Sequence, residues 1–185
     1  MGKKEFDDFL QQLTQKKSNI KKIDWEAEKK YWLEYIEQFY KMVEGYLNDY
    51  VTTGKITLEY KKKYITEENI GTYETKELKI IINDNIATFT PIGTLLIGTK
   101  GRIDLSSKHG IVRFILADKD SFGPKIEVNV FYTDEERKIF EEKQKTLQKK
   151  EINWTWKIAS EPPIVKYIDL NQDSFFDVLL DIING

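Results

Sequence analysis

The sequence predicts an α+β fold: a mostly antiparallel, curved sheet of about six to eight strands packed against a long N-terminal helix, with a C-terminal helix. Three observations predict this class. A long amphipathic helical pattern comes first, short alternating segments follow, and the loops between them are too short for crossover helices. The 185 residues suffice for one domain with its own core, and no linker divides them, so we expect a single domain over residues 1–185.

The chain begins with a short amphipathic stretch. Phe6, Phe9, Leu10 and Leu13 have the spacing of one helical face, and a polar, lysine-rich segment follows them. We therefore expect residues 1–22 to form a helical arm that is loosely attached to the domain.

The strongest helix signal runs from Trp25 to about Tyr50, with Asp24 as its N-cap. Large apolar side chains form one stripe along this segment. Four further residues widen the stripe to about half the helix circumference: Tyr31, Tyr35, Met42 and Tyr46. So wide a face predicts either burial within a curved sheet or contact with a partner, and we take these four residues as a candidate interaction surface.

From residue 55 onward, apolar and polar residues alternate with the period of two that a half-buried strand requires. Residues 66–71 are interpreted as a loop or one helical turn. Thr133 and Glu136 form a capping-box pattern for a solvent-exposed helix that ends near residue 149, and Asn171 is expected to cap a last helix. The predicted strands cover 55–61, 77–82, 86–90, 94–97, 102–105, 111–117, 125–132 and 154–158, with 164–168 as an edge strand.

The segment 90–102 contains three glycines between apolar runs and ends on basic residues. Gly93 and Gly98 have the spacing of a phosphate-binding loop, but Thr99 and Lys100 follow in the wrong order. A strand-like segment comes next, where an anion site of this kind needs a helix N-terminus. We therefore interpret the segment as the hinge of a β-hairpin.

Arginine is rare among the 29 basic residues, and two arginines fall in one predicted hairpin. With Ser107 and Lys108 at its tip, Arg102 is expected opposite Arg113 and Asp104 diagonal to Arg113, all on one face. Two arginines beside an aspartate are a candidate site for a carboxylate or phosphate. The alternative is an ordinary cross-strand ion pair on a solvated face.

Composition excludes several kinds of chemistry. The chain has no cysteine and a single histidine, His109, in a predicted turn, so disulfides, thiolate nucleophiles and multi-histidine metal sites are excluded. The acidic stretches 118–123 and 169–173 depart from the calcium-loop pattern. We predict no metal and no cofactor, we nominate no catalytic residue, and an enzyme is not favoured.

The 29 basic and 31 acidic residues nearly cancel, so neither duplex DNA nor an anionic membrane is an expected partner. No apolar run has the length of a signal peptide or a membrane span, which makes the cytoplasm the expected location. Residues 60–64, together with Trp154 and Trp156, mix basic and aromatic side chains as single-strand nucleic-acid binders do.

The expected function is a non-catalytic binding or protein-interaction module that acts through protein contact or self-association. Two alternatives stay open. One is a small-ligand-binding protein or enzyme whose pocket lies between the long helix and the concave sheet, with Arg102 or Arg113 holding an anionic group. The other is a single-stranded nucleic-acid binder.

Overall fold

A computed structural model of the chain describes residues 23–94, 99–124, 132–133, 135–140 and 152–185. These residues contain a long helix, a seven-stranded antiparallel sheet and a C-terminal helix, which confirms the predicted α+β class. The helices are α1 (Trp25–Thr52) and α2 (Gln172–Asn184). The strands are β1 (Thr57–Glu67), β2 (Gly71–Ile82), β3 (Asn85–Gly93), β4 (Gly101–Ser106), β5 (Ile111–Asp118), β6 (Trp154–Ala159) and β7 (Tyr167–Asp169).

The sheet is an open meander in which every strand pairs antiparallel with the next one along the chain. β1 and β2 form its longest hairpin, of 11 and 12 residues, and β7 at the far edge has three residues. β2 stays paired with β3 only as far as Leu78 opposite Phe89. Beyond that pair, β2 no longer pairs with β3.

α1 begins as the sequence predicts, because the side chain of Asp24 accepts a hydrogen bond from the backbone N–H of Ala27 at 3.0 Å. One face of α1 is fully buried against the inner face of the sheet. The buried residues of this face are Trp32, Ile36, Phe39, Tyr40, Val43 and Leu47. The apolar stripe seen in the sequence therefore forms the centre of the core.

α2 lies beside α1 on the inner face of the sheet, near β3 and β5. Its start has the predicted cap: Asn171 accepts a hydrogen bond from the backbone N–H of Ser174, and Ser174 accepts one from that of Asn171, both at 3.0 Å. Phe175, Leu179 and Ile182 project from α2 into the core. The C-terminal helix is thus a structural part of the domain.

The glycine-rich segment 90–102 joins β3 to β4, as the hinge interpretation predicts. The pairing register shifts between Pro91 and Gly93, and Gly93 has a φ of +144°, a conformation that L side chains rarely adopt. Gly101 lies directly against the indole ring of Trp32, where a Cβ atom would come within 2.2 Å of Cζ3. These glycines allow a sharp bend and a close approach of α1 to the sheet.

Several predicted boundaries were wrong. The turn between β1 and β2 is confined to residues 68–70, and β2 begins at Gly71 rather than at residue 77. The edge strand is Tyr167–Asp169 rather than 164–168. The early part of β2 is rich in threonine and glutamate, so no apolar alternation marked it as a strand.

Other predicted elements lie largely or wholly outside the described residues: the arm 1–22, the strands 94–97 and 125–132, and most of the helix to residue 149. Residues 135–140 are helical, and Thr133 accepts a hydrogen bond from the backbone N–H of Glu136 at 3.2 Å, in agreement with the predicted cap. Within the described ranges, no helix is both long enough and apolar enough to cross a bilayer.

Candidate interaction surface

The space between α1 and the sheet is filled by aromatic side chains. The ring of Phe39 lies 5.2 Å from Phe89, 5.3 Å from Phe114 and 4.9 Å from Trp156, measured between ring centroids. All four side chains belong to the buried core. Contacts this close leave no room for a ligand at this point between helix and sheet.

The four residues of the predicted wide helix face are placed differently from one another. Tyr31 is 52% exposed, whereas Tyr35, Met42 and Tyr46 are half-buried and pack against the core. The ring of Tyr46 lies 5.3 Å from that of Phe175 in α2. Much of the extra width of α1 therefore serves contact with the rest of the chain, and the interaction role of this face stays a prediction.

The predicted arginine cluster forms, but with another register. Asp104 stands directly opposite Arg113, and Arg102 stands opposite Ile115, a shift of two residues from the predicted pairing. A four-residue turn causes the shift: the backbone N–H of Ser107 bonds to the carbonyl of Gly110 at 3.0 Å. Because side chains alternate with a period of two, the three charged residues still share one face of the sheet.

Within this cluster, the guanidinium of Arg102 is already occupied. Its Nε and Nη2 atoms donate to the two oxygens of Asp104 at 2.6 Å and 2.5 Å, and these bonds raise the pKa of Arg102. Asp104 is buried, and Arg113 makes no side-chain hydrogen bond or ion pair within the described residues. This face lies away from α1, because Ile103 and Phe114 point into the core instead. The geometry is that of an intrachain ion pair beside one further cation.

Asp104→Asn is expected to lower the free energy of unfolding by about 1–3 kcal/mol, because it removes a charge-assisted pair from a buried position. Arg113→Gln is the control and is expected to change it by less than about 0.5 kcal/mol. Urea unfolding measures both. Inorganic phosphate that stabilises the wild type but not Arg113→Gln would instead support the predicted anion site.

The basic and aromatic segment 60–64 is largely neutralised by contacts within the chain. Lys62 pairs with Glu74 at 3.0 Å, and the hydroxyl of Tyr64 donates to the same carboxylate at 2.9 Å. Lys63 pairs with Glu77 at 3.2 Å. Trp156 is in the core, so it is not available to stack on a base. These contacts reduce the support for nucleic-acid binding, which stays an untested alternative.

A large apolar groove lies where the C-terminal end of α1, the end of β2 and one side of α2 meet. Its volume is about 690 Å³. We call it the α1–α2 groove, and its principal apolar residues are Tyr50, Ile56, Ile82, Phe176, Leu180 and Ile183. Such a groove, open to solvent and lined by aliphatic and aromatic groups, has the character of a recognition surface.

The groove has a packed wall and an exposed mouth. The rings of Tyr50 and Phe176 contact edge to face, with centroids 5.8 Å apart, and connect the two helices across one side. Ile56 lies buried in the lining, whereas Leu180 projects outward and is 60% exposed. A large aliphatic side chain exposed on a helix beside a groove is available to be covered by another molecule.

The rim of the groove is acidic. Asp177 lines the groove, and Asp173 and Asp181 lie one helical turn before and after it on α2; all three are exposed, and none forms an ion pair within the described residues. Like charges at this spacing repel one another. Neither α1 nor α2 has a basic residue in its last turn to offset the negative end of the helix dipole. Lys55 is the one basic residue in the lining. Because three carboxylates of α2 and two negative helix ends outweigh this single lysine, this part of the surface favours a cationic occupant.

Sequence reasoning did not find this groove. Its lining residues come from three separate parts of the chain, and each of these alone resembles ordinary core sequence: 50–56, Ile82 and 176–184. The available signal was Leu180, an apolar residue among the aspartates of the last helix. Only the packing of α2 against α1 shows that this residue faces solvent.

A second feature missed by sequence reasoning is a buried carboxylate. Glu67 accepts hydrogen bonds from the hydroxyl of Tyr73 at 2.6 Å, from the backbone N–H of Thr94 at 2.8 Å and from its hydroxyl at 2.9 Å. Burial, and then the bond to Glu67, raise the pKa of Tyr73. Since Glu67 and Tyr73 belong to the distal β1–β2 hairpin and Thr94 follows β3, the cluster joins two parts of the sheet that no longer pair.

No group of three or more histidine, aspartate or glutamate side chains in the described part of the chain is placed to hold a metal ion. Comparison of the chain with protein-family models, with curated proteins and with solved structures finds no match. The geometry of the α1–α2 groove is therefore the basis for a functional proposal.

Proposed function

We propose that this protein is a protein-interaction module and that its α1–α2 groove receives an amphipathic helix with basic residues beside its apolar face. The observation that carries the proposal is the combination of an exposed apolar groove with three unpaired aspartates on α2, of which Asp177 lines the groove and Asp173 and Asp181 lie one turn to either side. Helix-in-groove recognition uses apolar anchors spaced by three or four residues. Lysine or arginine next to those anchors would meet Asp173 and Asp177.

The charge of the rim favours this occupant over an uncharged or acidic one. A cationic helix reduces the repulsion among the three aspartates of α2, and an acidic helix increases it. It also approaches two helix C-termini, each of which carries a partial negative charge. The apolar lining supplies affinity, and the rim supplies specificity and orientation.

The test uses two synthetic helical peptides with the same apolar stripe, one with lysines and one with glutamates on the polar face. Each is labelled and titrated with the full chain, and binding is followed by fluorescence anisotropy. We expect the lysine peptide to bind and the glutamate peptide to bind at least about tenfold more weakly. The difference between the two affinities should decrease as the salt concentration is raised. Equal binding of the two peptides would contradict the proposal.

Leu180→Glu in the protein is expected to weaken binding of the lysine peptide about tenfold or more, because it places a charge on the apolar contact surface. Ile164→Glu is the matched control, since Ile164 is 72% exposed and lies outside the groove. Both positions are exposed, so circular dichroism and urea unfolding should show an unchanged fold. Undiminished binding by Leu180→Glu would remove the groove as the site.

A further inference from the structure

The sequence of this chain contains a segment with the chemistry that the α1–α2 groove favours. Residues 1–22 carry six lysines and three carboxylates, so this segment is cationic within a chain whose total charge is slightly negative. Its apolar residues Phe6, Phe9, Leu10 and Leu13 are spaced by three or four positions, the spacing of anchors in a helix-in-groove contact. Charge and apolar pattern are both complementary to the groove.

The length of chain between this segment and α1 restricts which groove it reaches. Tyr50 at the near end of the groove is 25 residues beyond Trp25, which places it about 38 Å along α1. Between Leu13 and Asp24 the chain spans about 40 Å only when fully extended. The anchors would therefore reach the groove of their own copy only with every intervening residue stretched straight along the helix.

We propose that the occupant of the α1–α2 groove is the N-terminal segment, residues 1–22, of a second copy of this chain. The groove of a second copy imposes no such stretching. Two copies that exchange these segments reciprocally form a closed dimer in which both grooves are filled. This inference rests on the proposed function, because it names the partner of the same groove.

The groove nearest to the start of α1 is a poorer match. It runs along the exposed face of the N-terminal half of α1 and is lined mostly by charged side chains, with Ala27 and Leu33 as its apolar members. Phenylalanine and leucine anchors would bury little apolar surface there. Its four acidic and three basic side chains also partly pair with one another, as Lys29 does with Glu26 and Lys30 with Glu34, so this groove offers little net charge to a cationic segment.

The mass of the full-length chain, measured by light scattering over a wide range of protein concentration, tests this inference. We expect a dimer for the wild type. Phe9→Glu removes an anchor and Leu180→Glu removes its contact surface, so each variant alone is expected to be monomeric at concentrations where the wild type is a dimer. Ile164→Glu is the control and is expected to dimerise as the wild type does.

Mixing the two monomeric variants gives the sharpest outcome. Phe9→Glu keeps an intact groove and Leu180→Glu keeps an intact segment, so an equimolar mixture is expected to form a heterodimer with one exchanged segment. That heterodimer should dissociate at a higher concentration than the wild-type dimer, because it has one contact instead of two. A mixture that stays monomeric at every concentration that dimerises the wild type would overturn the exchange.

Other results separate this inference from the proposed function. If the wild type is monomeric at all concentrations but binds the lysine peptide through Leu180, the exchange is wrong and the groove proposal stands. If Phe9→Glu makes a monomeric protein bind that peptide more tightly, the segment docks within one copy, and the exchange is again wrong. A wild-type dimer that persists in both variants would place the dimer interface elsewhere.

Discussion

Replacing Gly101 with alanine is expected to reduce the free energy of unfolding by about 3 kcal/mol or more, a large effect for a single methyl group. The Cβ of that alanine would lie 2.2, 2.6 and 2.9 Å from three atoms of the Trp32 indole ring. Trp32 is fully buried, and its ring contacts that of Trp156 at 6.1 Å between centroids. Because the indole is enclosed by the core, it can make room for a Cβ only by displacing its neighbours.

Urea unfolding of three variants measures this effect. Gly45→Ala is the matched control, because Gly45 lies on the exposed side of α1 and a Cβ there would meet nothing within 4 Å. It is expected to stabilise the protein by about 0.5–1 kcal/mol, since alanine is the better helix former. Adding Trp32→Phe to Gly101→Ala should recover part of the loss. A Gly101→Ala protein as stable as the wild type would contradict the close approach of α1 to β4.

The close approach at Gly101 shows why part of the fold could be predicted and part could not. The helix α1 was predictable because its apolar stripe and the cap at Asp24 are both local in sequence. The contact between Trp32 and Gly101 joins positions 69 residues apart, and nothing near either residue indicates it. The sequence showed that a glycine was needed for a bend but did not show which ring it would admit.

Register errors have a similar origin. The β4–β5 turn was predicted as two residues, but it has four because Ser107 bonds to Gly110 and its hydroxyl also donates to the carbonyl of Ile182 in α2. A contact with another element thus selects the turn. The cluster of Arg102, Asp104 and Arg113 still came together, since an error of two residues keeps each side chain on its own face.

The sequence did not indicate the α1–α2 groove for a comparable reason. An amphipathic stripe in sequence reports how much apolar surface a helix carries, but not how much its own domain covers. α2 packs beside Tyr46 and thereby uses part of the wide face of α1, while the same packing leaves Leu180 uncovered. Exposure at a groove is therefore a property of how helices meet, and it becomes visible only in the folded chain.

Removing the carboxylate of Glu67 is expected to have the second large effect. Glu67→Ala should lower the free energy of unfolding by about 3 kcal/mol, because the buried hydroxyl of Tyr73 and the N–H of Thr94 both lose their acceptor. Glu67→Gln keeps one oxygen as an acceptor but turns an NH₂ group toward a donor. Its free energy of unfolding is therefore expected to lie between those of the wild type and Glu67→Ala. Urea unfolding monitored by circular dichroism gives the free energies of unfolding of the wild type and the two variants.

The control for this series is Glu68→Ala, the neighbouring glutamate, which is exposed in the β1–β2 turn and is expected to change stability by less than about 0.5 kcal/mol. Hydrogen exchange adds a local test. Because Glu67 connects the distal β1–β2 hairpin to the end of β3 after the strands have separated, its loss should speed exchange in residues 61–77 more than in β4 and β5. Uniformly faster exchange across the sheet would instead indicate that Glu67 stabilises the whole domain and does not act as a local connection between hairpin and sheet.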